Sequence, residues 1–505
     1  MPLHIPDARL LLFANATLID GTGAPPQHGD LLIRDGRIVE VGVFDISPEI
    51  PRVDLTGKVL APGFIDLHSH SDLKVIEDRR EKSHQGVTAE LVGNCGFSPY
   101  PCGQHAEVVR EQNAGILHGP ATWPTAAAYL HDARAHSHLV HVESLIGHGT
   151  LRSAVCGRHS GPLTEQQLQA MESALDEAFA EGAAGFSTGL MYAPGSQAPF
   201  EELERLCAVV ARRGKLYTTH MRSYSWQLLE SIDEQLTLAR STGCRLQLSH
   251  LQAVGRANWH KQSAALEKIE QARAEGIDVA FDSYPWLAGS TVMTQLLPQS
   301  ALDGGLPALL ERLTQAALRS DLISALHNET AQAWGDILVS SLATETNHAL
   351  IGCSIEEIAT ARSADPAAVI LDLILEERGQ INIIAFNQSE SNLRQLLTHP
   401  LCSVISDGFY VDGRPHPRLY GTFPAFLGDF TRDRHWLSLA EAVRHITSAP
   451  ADRLGLTDRG RLALGYVADL CIFDAETIAN QATYDHPDRT PIGIEAVLRV
   501  GRAVL

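Results

Sequence analysis

A chain of 505 residues can bury a large core and is long enough for more than one domain. With 44% hydrophobic and 20% charged residues, it has the balance of a soluble globular protein. Its 40 Lys and Arg against 60 Asp and Glu give a formal charge of −20, which sets aside nucleic acid and anionic membrane as main partners because both would repel it.

The first residues, MPLHIPDARLLLFANATLIDGTG, lack a basic segment followed by a long apolar run and a small-residue cleavage site, so they do not read as a secretory leader. No stretch approaches the roughly 20 apolar residues needed to span a bilayer. The eight cysteines are scattered, with no CxxC pair. They read as reduced, mostly buried thiols, and the compartment expected is the cytoplasm.

Strand-like apolar runs open the chain at 10–18, 30–34 and 37–43, with Asp35-Gly36 as a turn signal. The tail has similar runs at 466–473 and 494–498. Neither end piece can close a core alone, so one small β-domain is expected from residues 1–62 and 455–505 together, with 63–454 inserted between them. The insert alternates apolar strands with helical patterns. Candidate strands lie at 63–68, 88–95, 139–147, 185–188, 216–220, 245–250, 278–282, 381–386 and 403–407. Segments such as 164–181 and 257–276 carry the apolar spacing of amphipathic helices. This rhythm implies a parallel sheet, either closed as a barrel or open and doubly wound. Nine candidates exceed the eight a barrel needs, so one lies outside it or is misread. The stretch 287–350 breaks the rhythm and reads as a mainly helical insertion covering one mouth of the barrel.

The strands end on an unusual set of side chains. His68, His70, Cys95, His220, His250 and Asp407 all sit at or just past C-terminal ends, which in a parallel barrel gather at one rim. These residue types bind zinc once neutral or deprotonated. His68 and His70 are two apart, so in a strand both imidazoles face the same side, although the pair could equally be polar residues at a strand end. Asp407 precedes Gly408 and could be no more than a turn residue; beside a metal-activated water it could serve as ligand and general base. His220 and His250 each close a strand, and Cys95 could be a buried thiol or a thiolate ligand. Taken singly each has an ordinary structural reading; their joint placement points to a metal site. His84, His141 and His148 read as structural or as partners that orient ligand imidazoles.

Ten motifs then carry a resemblance. Among them are APGFIDLHSHSD at 61–72, GNCGFSP at 93–99, STGLMYAPG at 187–195, THMR at 219–222, SHL at 249–251, DSYPW at 282–286, SDG at 406–408 and HPRLYGTFP at 416–424. Together with TSAPA at 447–451 and GYVADL at 465–470, they make the chain resemble the D-aminoacylase (N-acyl-D-amino-acid deacylase) family of the amidohydrolase superfamily over nearly its whole length. The resemblance implies an α/β fold, a (β/α)8 TIM-like barrel with a small β-sandwich built from both termini. It implies Zn2+ held tightly by Cys95, His220 and His250, with a second position at His68, His70 and Asp407. Asp407 would be the general base. Arg418, Tyr284 and Ser290 match positions linked to the substrate carboxylate, and Tyr192 matches a tyrosine near the scissile carbonyl. The implied reaction is attack of metal-activated water on the amide of an N-acyl-D-amino acid, releasing the amino acid and a carboxylate.

One departure concerns substrate preference: the family often has lysine where this chain has Gln252, which keeps a hydrogen bond and loses a charge. The competing readings are a cyclic-amide hydrolase of hydantoinase or dihydroorotase type and a non-catalytic scaffold. The fourth strand at 185–190 offers no bridging lysine for the former, and the full set of ligand types argues against the latter. Nothing in the residues fixes the oligomeric state.

Overall fold

The computed structural model describes residues 3–44, 47–77, 79–117, 119, 121–159 and 161–505. Eight strands form one sheet in chain order: Phe64–Asp66, Val87–Val92, His141–Gly147, Gly185–Gly189, Leu216–His220, Arg245–Leu248, Val279–Ser283 and Cys402–Val404. Every neighbouring pair is parallel. Such strands are covered on both faces, which is why they read as continuous apolar runs rather than alternating ones. Helices between them show ordinary start signals. In Glu165–Ala180, Thr164 caps the first turn reciprocally with Gln167, and Met171, Leu175 and Phe179 face the core.

The barrel closes without a regular ladder between its last and first strands among the described residues. The seam is joined just beyond the strand ends. A parallel bridge links Ser69 and Gly408, the Asp407 N–H donates to the His68 carbonyl at 2.9 Å, and the His70 N–H donates to the Gly408 carbonyl at 3.0 Å.

The ninth candidate is a strand outside the barrel. Ile381–Phe386 is the centre of a three-stranded antiparallel sheet, flanked by Ala288–Val292 and Ile337–Leu342. The stretch 287–350, expected to be mainly helical, contributes two strands as well as its helices. Helices Gly305–Leu313 and Ala316–Glu329 are present, but two strands of this sheet bracket them. The sequence Ala-Gly-Ser-Thr-Val at 288–292 has no alternating apolar pattern, so this strand is specified by its partner. The unit has its own core, including Leu309, Ile337, Ile355, Ile370 and Ile383.

The two chain ends build the β-sandwich. Leu10–Leu18, Gln27–Arg34, Arg37–Gly42, Arg52–Asp54 and Val59–Pro62 join Leu470–Phe473, Ile494–Arg499 and Arg502–Ala503. Val59–Pro62 is the junction, pairing with Leu10–Leu18 on one side and Leu470–Phe473 on the other. Leu11, Phe13, Leu31, Ile33, Leu470 and Leu498 fill a core separate from that of the barrel. No helix among the described residues is long and apolar enough to cross a membrane.

Candidate active site

The C-terminal rim brings all six predicted ligand residues together. His68 and His70 follow the first strand, Cys95 the second, His250 the sixth and Asp407 the eighth, while His220 ends the fifth. The Cys95 Sγ lies 3.3 Å from His68 Nε2 and 3.5 Å from His250 Nε2, and His220 Nδ1 lies 3.0 Å from His250 Nε2. Asp407 Oδ1 is 3.3 Å from both His68 Nε2 and His70 Nε2. Ligand atoms within 4.8 Å of one another form three overlapping sets: Cys95, His220 and His250; His68, His250 and Asp407; and His68, His70 and Cys95.

The backbone is bent to reach this arrangement. Cys95, His250 and Asp407 have φ of 54°, 35° and 48°, in the left-handed region that costs a non-glycine residue about 1–3 kcal/mol. Around Cys95 the turn is flanked by glycines for a steric reason. A Cβ on Gly93 would stand 2.2 Å from the Leu145 carbonyl oxygen, and one on Gly96 2.7 Å from the Gly189 nitrogen.

Burial shapes the electrostatics. It lowers His220 to about 3 and, with the neighbouring His220, takes His250 well below the usual imidazole value; it also lowers His70. These imidazoles are therefore neutral at physiological pH, the form that binds a metal. Burial pushes the Cys95 thiol up, so the thiolate needs a cation beside it. Burial would also raise Asp407, but the Arg418 guanidinium, with Nη1 2.9 Å from Oδ2, and His68 hold its carboxyl well below the usual range. His220 Nε2 is buried without a hydrogen-bond partner among the described residues. One sulfur with neutral imidazoles, crowded together and partly unsatisfied, is a donor set that fits Zn2+.

His70, Cys95, His220, His250 and Asp407 open onto a cavity of about 190 Å³ lined also by Arg418, Tyr284, Ser290, Tyr192 and Gln252. The Arg418 guanidinium stacks over the Tyr284 ring at 4.8 Å and donates to the Ser290 carbonyl at 3.3 Å. The Tyr284 hydroxyl donates to Gln252 Oε1 at 3.3 Å. Tyr192 stands over His220, with ring centroids 4.8 Å apart, and its hydroxyl is 3.2 Å from Thr291 Oγ1 on the inserted sheet. Tyr192 follows the fourth strand and Arg418 the eighth, so they occupy opposite walls.

The amidohydrolase family profile matches residues 52–505. The chain is 35% identical to N-acyl-D-glutamate deacylase from Alcaligenes xylosoxydans xylosoxydans over 98% of its own length and 93% of the relative's. It is 33% identical to D-aminoacylase from the same organism, over 98% and 94%. The chain belongs to the D-aminoacylase family of amidohydrolases. A crystal structure of a further member, N-acyl-D-glutamate deacylase from Bordetella bronchiseptica complexed with zinc and a phosphonate mimic of the tetrahedral intermediate, superposes with a TM-score of 0.84 at 33% identity. That match covers 98% of this chain and 96% of the other.

The fourth strand, Gly185–Gly189, brings no ligand to this D-aminoacylase-family centre. His84, His141 and His148 lie outside the ligand sets found among the described residues; His141 and His148 face Glu143 and Glu202, each at 2.8 Å. Sequence reasoning missed Asp282. Its carboxylate accepts the His250 N–H at 2.6 Å and Gln247 Nε2 at 3.0 Å, and lies 3.4 Å from His68 Nδ1. Its signals were its place at the end of the candidate strand 278–282 and its position as the first residue of the DSYPW motif.

Proposed function

We propose that this chain is a zinc-dependent hydrolase that deacylates N-acyl-D-amino acids. The observation that carries the reading is the convergence of Cys95, His220 and His250 with Asp407 beneath a cavity walled by Arg418 and Tyr192, in a chain that matches deacylases along its length. Cys95, His220 and His250 would hold the tighter ion, and His68, His70 and Asp407 a second position. Zinc supplies a Lewis acid for the amide carbonyl and lowers the pKa of water to near 7.

The chain's own groups do the rest. Asp407 Oδ1 takes the proton of the attacking water and returns it to the amide nitrogen, so that a free amino acid and a carboxylic acid leave. Arg418 binds the substrate carboxylate; its Nε is buried without a partner among the described residues and is available as a donor. Tyr284 and Ser290 complete that wall. Tyr192 donates to the developing oxyanion, since burial pushes its hydroxyl up and keeps it protonated. The D preference follows the named relatives. Eight free cysteines accord with a reducing compartment, the cytoplasm.

The test is a release assay on paired D and L N-acyl amino acids, run beside hydantoin and dihydroorotate, with metal analysis of the same preparation. Zinc-dependent release from D substrates is expected. Ring opening without deacylation, or a metal-free protein that zinc does not activate, overturns the reading.

A further inference from the structure

Asp66, Lys82 and Ser406 are completely buried, and Lys82 Nζ donates to Asp66 Oδ2 at 2.6 Å and to Ser406 Oγ at 3.0 Å. The Ser406 hydroxyl donates in turn to Asp66 Oδ2. Asp66 Oδ1 accepts the Ser406 N–H at 3.0 Å and the His68 N–H at 3.4 Å, and Ser406 Oγ accepts the Gly408 N–H at 3.1 Å. The cluster therefore ties two chain segments more than 300 residues apart in sequence. One carries His68 and His70, the other Asp407. It sits at the barrel seam, where no ladder joins the last strand to the first among the described residues.

A buried ion pair gives weak net stabilisation because desolvation offsets its attraction, so its use here must be sought in what it positions. Asp407 is held with a φ of 48°, a conformation that persists only when its surroundings over-determine it. Lys82 also stands 3.8 Å from Glu90, which accepts from the Ser69 hydroxyl at 3.1 Å. The lysine thus reaches the loop between the two histidines by a second route.

We infer that Lys82 is a positioning residue: through Asp66 and Ser406 it substitutes for the missing ladder at the seam and sets the register between His68, His70 and Asp407. This rests on the reading of those three residues as a metal position and of Asp407 as the base. Lys82 touches neither substrate nor ion, and it acts by fixing the geometry of groups that do.

The test uses Lys82→Met, Lys82→Arg and Ser406→Ala in the full chain. Each is measured for zinc affinity at the tight and weak positions by chelator competition, and for kcat, KM and thermal midpoint. Outer partners of metal ligands are worth roughly 10–100-fold in affinity or activity. Lys82→Met is expected to weaken the weak position by at least tenfold and, because Asp407 shifts with it, to lower kcat at least tenfold at one zinc per chain, with tight-position affinity and KM within about threefold; Lys82→Arg should recover part of both losses. Ser406→Ala keeps the ion pair and removes the bridge, so it carries the test if Lys82→Met does not fold, with the same direction expected. Unchanged weak-position affinity and kcat in the folded variants overturn the inference. Wild-type protein without zinc or deacylation instead defeats the underlying reading of the site.

Discussion

Replacing Tyr192 with phenylalanine removes one oxygen from the site and little else. The ring packs edge-on against Phe97, with centroids 5.0 Å apart, and tilts over His220 at 4.8 Å; a phenylalanine keeps both contacts. The hydroxyl's partner, Thr291 Oγ1 at 3.2 Å, is only half-buried and can turn to water. The stability loss is therefore about 1 kcal/mol or less. In catalysis the same hydroxyl would face a developing negative charge in a buried site, where a donor contributes about 1.5–3 kcal/mol. That predicts a fall in kcat of roughly 10- to 100-fold. Because the interaction strengthens only as charge develops, KM should stay within about threefold. Steady-state release of free amino acid from an N-acetyl-D-amino acid, for wild type and Tyr192→Phe, measures both constants. A kcat within threefold of wild type, or a raised KM at unchanged kcat, would refute the oxyanion role.

Cys95→Ser should cost the tight position at least the roughly 100-fold expected of a strong perturbation to a zinc site, with activity lost in parallel; chelator competition reads it directly. Gln252→Lys adds a cation beside Tyr284 and is expected to lower KM several-fold for substrates with a free carboxylate but not for their carboxamides; equal effects on both would sink the idea. His445, buried at the end of helix Leu439–His445, is held neutral down to about 3, first by burial and then by Arg444. The unfolded chain takes up a proton near pH 6.5 that the folded chain refuses, so stability falls as pH drops from 6.5 towards 3. Metal-free wild type should lose about 1.6 kcal/mol more than metal-free His445→Gln between pH 6.5 and 5 in urea titrations, and parallel losses would contradict this.

The sequence was informative where chemistry sits next to a strand end. His68, Cys95, His220, His250 and Asp407 could be singled out because apolar runs stop on them, and a parallel barrel collects those ends on one rim. The run Ile-Asn-Ile-Ile-Ala-Phe at 381–386 is the strand that the count of nine left outside the barrel, and the sequence could not say which one it was. It is as apolar as a barrel strand, and only its antiparallel partners distinguish it. Strand 288–292 left no trace because small polar residues carry no period. Asp66 and Asp282, though inside the quoted motifs, and Lys82 showed no role in the sequence for a different reason. Each acts through buried contacts to residues distant in the chain, and spacing is blind to such contacts.

The left-handed backbone at Cys95, His250 and Asp407 bears on how such a protein would change over generations. At each of these positions glycine would fold more comfortably than the residue present. Selection for folding alone would erode the centre, and the first steps of that erosion would be gains in stability rather than losses. A relative that kept the barrel but abandoned hydrolysis should carry glycine or asparagine there, and should melt higher for it.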